Sequence, residues 1–104
     1  RRAEISLARL QAQQGDGLAL ARLIALGDTR SSDLEQRKAA WLARAYAADL
    51  QCRARPRVAR MALDAVLADM RALLPEGGAI PREVQRLRAG CGSGRPAGAT
   101  IARR

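Results

Sequence analysis

The sequence has no histidine and no phenylalanine, one lysine (Lys38), and only Trp41 and Tyr46 as aromatic residues. Without histidine the commonest general base is missing. Zinc would lack its usual nitrogen ligands, and two cysteines are too few to hold it alone. The four serines, Ser6, Ser31, Ser32 and Ser93, have no base to activate them, and Ser31 and Ser32 stand where a helix start explains them. Asp64 and Asp69 are five positions apart and share no helix face. Gly92-Ser93-Gly94 lacks the strand-to-helix setting of a phosphate loop. No catalytic, metal or cofactor site is therefore expected. No apolar run approaches the roughly 20 residues of a membrane helix. The chain begins at Arg1 with neither methionine nor an apolar leader, as expected of a mature form or an excised piece.

What remains is aliphatic and basic. The chain has 104 residues, enough for one modest core. It is 48% apolar but only 2% aromatic, so that core must come from Ala, Leu, Val, Ile and Met. Ala and Leu favour helices, and the residues a sheet would want are scarce. The fold class expected is all-α, a compact bundle of four to five short helices spanning 1–91, followed by a Gly/Pro/Arg-rich tail at 92–104. The tail has little to bury, and its composition predicts disorder. The net charge is +9, from 19 basic and 10 acidic residues. Two readings stand side by side: an Arg/Ala-rich compositional habit, and an acidic partner.

Periodicity places the helices. Ala3, Leu7, Leu10 and Gln14 form one stripe on a first helix, broken by Gly15-Asp16-Gly17. Leu18–Leu26 is apolar nearly all round apart from Arg22, with Asp16 as N-cap and Gly27 as C-cap, and is expected at the centre. Ser32 with Glu35 reads as a capping box opening a third helix from Asp33 to about Arg53. Leu34, Trp41, Ala45, Ala48 and Cys52 share its inner arc. Pro56 stops or kinks it. A fourth helix, Arg57 to Leu74, pairs the polar strip Arg57, Arg60, Asp64 and Arg71 with a wide apolar arc. That arc holds Val58, Met61, Ala62, Ala65, Val66, Met70 and Leu73. Asp69 falls inside it and should meet an arginine or the Tyr46 hydroxyl. A fifth helix opens near Pro81, with Ile80, Val84, Leu87 and Cys91 on one stripe. The expected core includes Leu23, Ile24, Leu26, Trp41, Val66 and Leu73.

Cys52 and Cys91 both continue apolar stripes. A disulfide between them would tie the fifth helix to the third and stabilise the fold by roughly 3–4 kcal/mol. Two buried free thiols are the other reading. The bond would place the protein in a periplasmic or secreted setting. Arg53, Arg55, Arg57 and Arg60 bracket Pro56. They are read either as a solvated corner or as the rim of an apolar, helix-binding groove that includes Met61 and Met70. Methionine adapts to varied partner surfaces. The function expected is non-catalytic protein binding, as an adaptor, accessory subunit or escort of a larger bacterial assembly. The competing class is a module that binds nucleic acid or an anionic surface through Arg53–Arg60, with too few aromatics for base stacking.

Two resemblances point the same way. Ala12-Gln13-Gln14-Gly15-Asp16 leads into Ala19, Leu23 and Gly27, then Lys38-Ala39-Ala40-Trp41-Leu42 and Ala45. From Ala12 to Ala48 this resembles a SEL-one-like repeat, a subclass of tetratricopeptide-like helical hairpins, without that family's Gly-rich inter-helix loop or a clear second copy. The resemblance implies a protein-binding scaffold. Trp41-Leu42-Ala43-Arg44-Ala45-Tyr46 followed by Cys52, with a second cysteine after later helices, is similar to the small helical pilotins of bacterial secretion systems. That likeness implies a disulfide-bonded periplasmic escort.

Overall fold

A computed structural model describes residues 2–75 and 77–91. Among these residues there are five helices and no strand: α1 (Arg2–Gln13), α2 (Gly17–Gly27), α3 (Leu34–Asp49), α4 (Pro56–Arg71) and α5 (Ala79–Gly90). The tail expected at 92–104 lies outside the described residues.

Local chemistry sets the helix ends. Gly15 turns the chain at φ +96°, a backbone state glycine reaches without a steric penalty. Asp16 then caps α2, its Oδ1 accepting from Leu18 N at 3.0 Å and Ala19 N at 3.2 Å. The cap of α3 is Asp33, not Ser32. Its Oδ1 accepts from Glu35 N, while Ser31 Oγ accepts from Asp33 N at 3.0 Å. The charged Asp33 carboxylate, one position on, takes the cap. The helix ends at Asp49, earlier than expected, and residues 50–54 form turns before Pro56 opens α4 as its first residue.

The central element is α3. It packs against each of the other four helices, whereas α2 and α4 do not touch each other. Six of its alanines, Ala39, Ala40, Ala43, Ala45, Ala47 and Ala48, are buried together with Trp41 and Leu42. A methyl side chain lets a neighbour approach closely, so an alanine-rich helix can be surrounded. The leucine-rich α2, expected at the centre, lies outside. It buries Ala19, Leu23 and Gly27, while Leu18 is 79% exposed and Ile24 43%.

Two apolar clusters flank α3. One joins Ile5 and Ala8 of α1 and Leu23 of α2 to Ala39, Ala43 and Ala47. The other joins Trp41, Ala45 and Ala48 to Leu63, Val66 and Met70 of α4 and Val84 and Leu87 of α5. Tyr46 packs against both. The α1 stripe is not the one expected. Ile5 and Ala8 face inward, and Leu7 and Leu10 face outward. Of the expected core, Leu23, Trp41 and Val66 are buried, Leu26 is half-buried, and Ile24 and Leu73 are exposed.

Cys52 and Cys91 are joined, with their sulfurs 2.08 Å apart and their Cα atoms 5.2 Å apart. The bond ties the turn after α3 to the end of α5. All four residues of the α5 stripe are buried, as its spacing predicts.

Candidate interaction surfaces

Because α2 and α4 pack on α3 without meeting, a cleft of about 170 Å³ opens between them. Its floor is Arg44, Ala47 and Ala48 of α3 and Gln51 of the turn that follows. One wall is Ile24 and Asp28. The other is Val58, Ala59, Ala62 and Val66. Val58 is 53% exposed and Ala62 is open to solvent, so this wall keeps apolar surface that no element of the described residues covers.

The two ends of the cleft differ in charge. At one end Arg44 Nη1 meets Asp69 Oδ2 at 3.2 Å. Asp69 therefore finds an arginine, and it does so at the surface. The Tyr46 hydroxyl goes elsewhere. Beyond the other end, in the segment that joins Gln51 to Val58, are Arg53, Arg55 and Arg57, all exposed and forming no ion pair among the described residues. Arg55 is the N-cap residue of α4, which has no side-chain cap and no acidic residue in its first turn. Three cations thus crowd the positive end of a helix dipole, the arrangement that disfavours them most.

The residues expected to form a partner site are only partly together. Arg53, Arg55 and Arg57 lie in the exposed segment between the lining residues Gln51 and Val58, and none of the three lines the cleft itself. Arg60 is half-buried and lies about 160° round α4 from Val58 at 100° per residue, on the flank where Asp64 meets Arg88 at 2.8 Å. Met61 is 70% exposed beside the cleft's outer edge, and Met70 is 1% exposed inside the α4–α5 cluster. A groove lined by both methionines is therefore not what the fold builds. The inward arc of α4 is Ala59, Leu63, Val66, Leu67 and Met70. Ala47 and Gln51 were not singled out in the sequence, and Ile24 was expected in the core rather than on a cleft wall. The signal that marks Ile24 is the excess apolarity of α2, more than its burial uses, and none marks Ala47 or Gln51.

A polar network closes the opposite, odd-helix side. Arg9 of α1 lies 4.0 Å from the Tyr46 ring centre and 3.7 Å from Asp49. The Tyr46 hydroxyl donates to Glu83 Oε2 at 3.2 Å, and Arg86 donates to both Glu83 oxygens at 3.0 and 2.8 Å. The Arg86 hydrogen bonds hold Glu83 below its ordinary range, against partial burial. Burial pushes Asp49 upward, with the Arg9 charge opposing it. Burial, then the Glu83 charge, raises Tyr46. These groups face one another across helix contacts and read as a structural clasp.

No group of three or more metal-ligating side chains converges among the described residues, and none of their helices is long and apolar enough to cross a membrane. No protein-family model matches the chain, and neither the curated proteins nor the solved structures yield a match.

Proposed function

We propose that this domain is a non-catalytic protein-binding module, an adaptor or escort that holds a partner along the cleft between α2 and α4. The observation that carries the reading is the uncovered apolar wall of Ile24, Val58 and Ala62 above an alanine floor. An interface core needs such a surface, and a concave one admits a partner's side chains. The layout of successive hairpins, with α1, α3 and α5 in mutual sequence and α2 and α4 apart, agrees with a repeat-like scaffold. A Cys52–Cys91 disulfide is compatible with an oxidising compartment. Together with the pilotin likeness it supports a periplasmic setting in a bacterial assembly.

A second reading is favoured by one observation, the three unpaired arginines at Arg53, Arg55 and Arg57. They suit nucleic acid or an anionic surface. Trp41 is buried and Tyr46 is hydrogen-bonded to Glu83, which leaves no aromatic platform for bases among the described residues.

The test is the Ala62→Asp variant, which puts a charge on an exposed wall position and should leave the melting temperature within a few degrees of wild type. Loss of the partner held by wild type, with folding intact, supports the cleft. Retention of the partner, combined with binding that collapses between roughly 50 and 200 mM salt, supports the anionic reading instead.

A further inference from the structure

The cleft is uncovered at its walls and unbalanced along its length. At the Asp28 end the charges are mixed, with Arg44 already engaged by Asp69. At the Gln51–Val58 end they are of one sign. Arg53, Arg55 and Arg57 are exposed, have no ion pair among the described residues, and sit at the N-terminus of α4. The domain itself gains nothing from that arrangement, because like charges repel and the α4 dipole points its positive end at them. Local conflicts of this kind mark surfaces completed by something else.

Resting on the reading of the cleft as a partner site, we propose that its occupant is an amphipathic helix with acidic residues at its C-terminal end. The physical fit has three parts. The floor is lined by the small side chains of Ala47 and Ala48, between Arg44 and Gln51, which leave room for apolar side chains of a stripe spaced i, i+3, i+4 and i+7. The walls are Ile24 on one side and Val58 and Ala62 on the other, close enough to grip a few side chains but too small in volume for a folded domain. The basic mouth attracts carboxylates, and it also attracts the negative end of the partner helix's own dipole. Both effects turn the partner's C-terminal end toward Arg55 and Arg57, so it runs antiparallel to α4 and parallel to α3. The same arginines give the contact speed and direction more than strength.

The experiment uses this domain and three fluorescein-labelled peptides of 18 residues, each helical through one i,i+4 side-chain staple and each with the same Leu/Ala stripe. The first carries three Glu in its last turn, the second three Glu in its first turn, the third three Lys in its last turn. Anisotropy titrations at about 50 mM salt should show the first peptide binding about tenfold tighter than the third, and tighter than the second. The advantage should vanish with the Arg55→Glu, Arg57→Glu double variant, whose melt should not fall below wild type. Equal affinity for all three peptides, each weakened by Ala62→Asp, would overturn the acidic-helix inference and leave the cleft reading standing. Binding that Ala62→Asp leaves unchanged would overturn both. A single-stranded oligonucleotide that displaces the first peptide through Arg55 and Arg57, while binding more tightly than it, would also overturn the proposal.

Discussion

Gly27 lies directly against the backbone of Arg44, so that a Cβ at residue 27 would overlap Arg44 Cγ and stand 3.1 Å from Arg44 N. The missing side chain is what lets the end of α2 cross α3 at this distance. The crossing in turn fixes one wall of the cleft and holds Arg44 where it pairs with Asp69. Gly27 is therefore a packing glycine. In an open helix, Gly→Ala would gain about 0.5–1 kcal/mol. At this site overpacking should outweigh that gain and destabilise the fold by roughly 1–3 kcal/mol. Thermal melts of Gly27→Ala should drop by several degrees, whereas Gly17→Ala, with nothing near its Cβ, should not.

Within α2 the burial is one-sided, and two neighbouring residues should report it. Leu23 is fully buried, and Leu23→Ala should cost about 2–5 kcal/mol. Ile24 sits at the cleft wall, and Ile24→Ala should cost less than about 1 kcal/mol. Comparable losses at both positions, measured by urea denaturation, would show that α2 is enclosed and the cleft closed.

The clasp between α3 and α5 predicts a pH signature. Glu83 has a lowered pKa in the fold, first because Arg86 hydrogen-bonds it. Its contribution is complete above the ordinary value of 4.5 and is lost as the pH falls through the lowered folded value. Glu83→Gln should thus be less stable than wild type near neutral pH, and the gap should close in acid. Asp49 is raised, chiefly by burial, so its ionised form is a cost that acid relieves. Relative to Asp49→Asn, wild type should gain stability as the pH drops through the folded value. Melting temperatures of both variants from about pH 7 to pH 3 check the opposite slopes.

Arg57 offers a test in which stability and function move apart. It is exposed in the first turn of α4, where a cation opposes the dipole. Arg57→Glu should raise the melting temperature by a few degrees. The same change should weaken partner binding. A structural arginine would lose stability instead.

Much of this fold is legible in the sequence, and the failures have a common cause. The α5 stripe of Ile80, Val84, Leu87 and Cys91 reads correctly because that helix has one apolar face. The disulfide follows from the same alignment. The first helix has two such faces: Ala3, Leu7 and Leu10 on one side, and Ile5, Ala8 and Ala12 on the other. Periodicity cannot choose between them, and packing selects the second. The leucines of α2 suggest a centre, but the alanines of α3 permit one, because centrality depends on how closely neighbours can approach. Met61 and Met70 stand at opposite edges of the wide arc, nine positions and 180° apart at 100° per residue, so no single groove takes both and the fold buries only Met70. The cleft itself has no sequence motif. It exists because two helices that share a neighbour never meet, and only the surplus apolar residues Ile24 and Val58 hint at it.

Site-specific photo-crosslinking in the protein's native source tests the central claim most directly. A photoreactive phenylalanine analogue replaces Val58, on the cleft wall, and in a second variant Ala89, which is exposed on α5. The account predicts a discrete crosslinked protein from position 58, with none from position 89, and its loss when Ala62→Asp is added. The same adduct from both positions, or an adduct from position 89 alone, would contradict it.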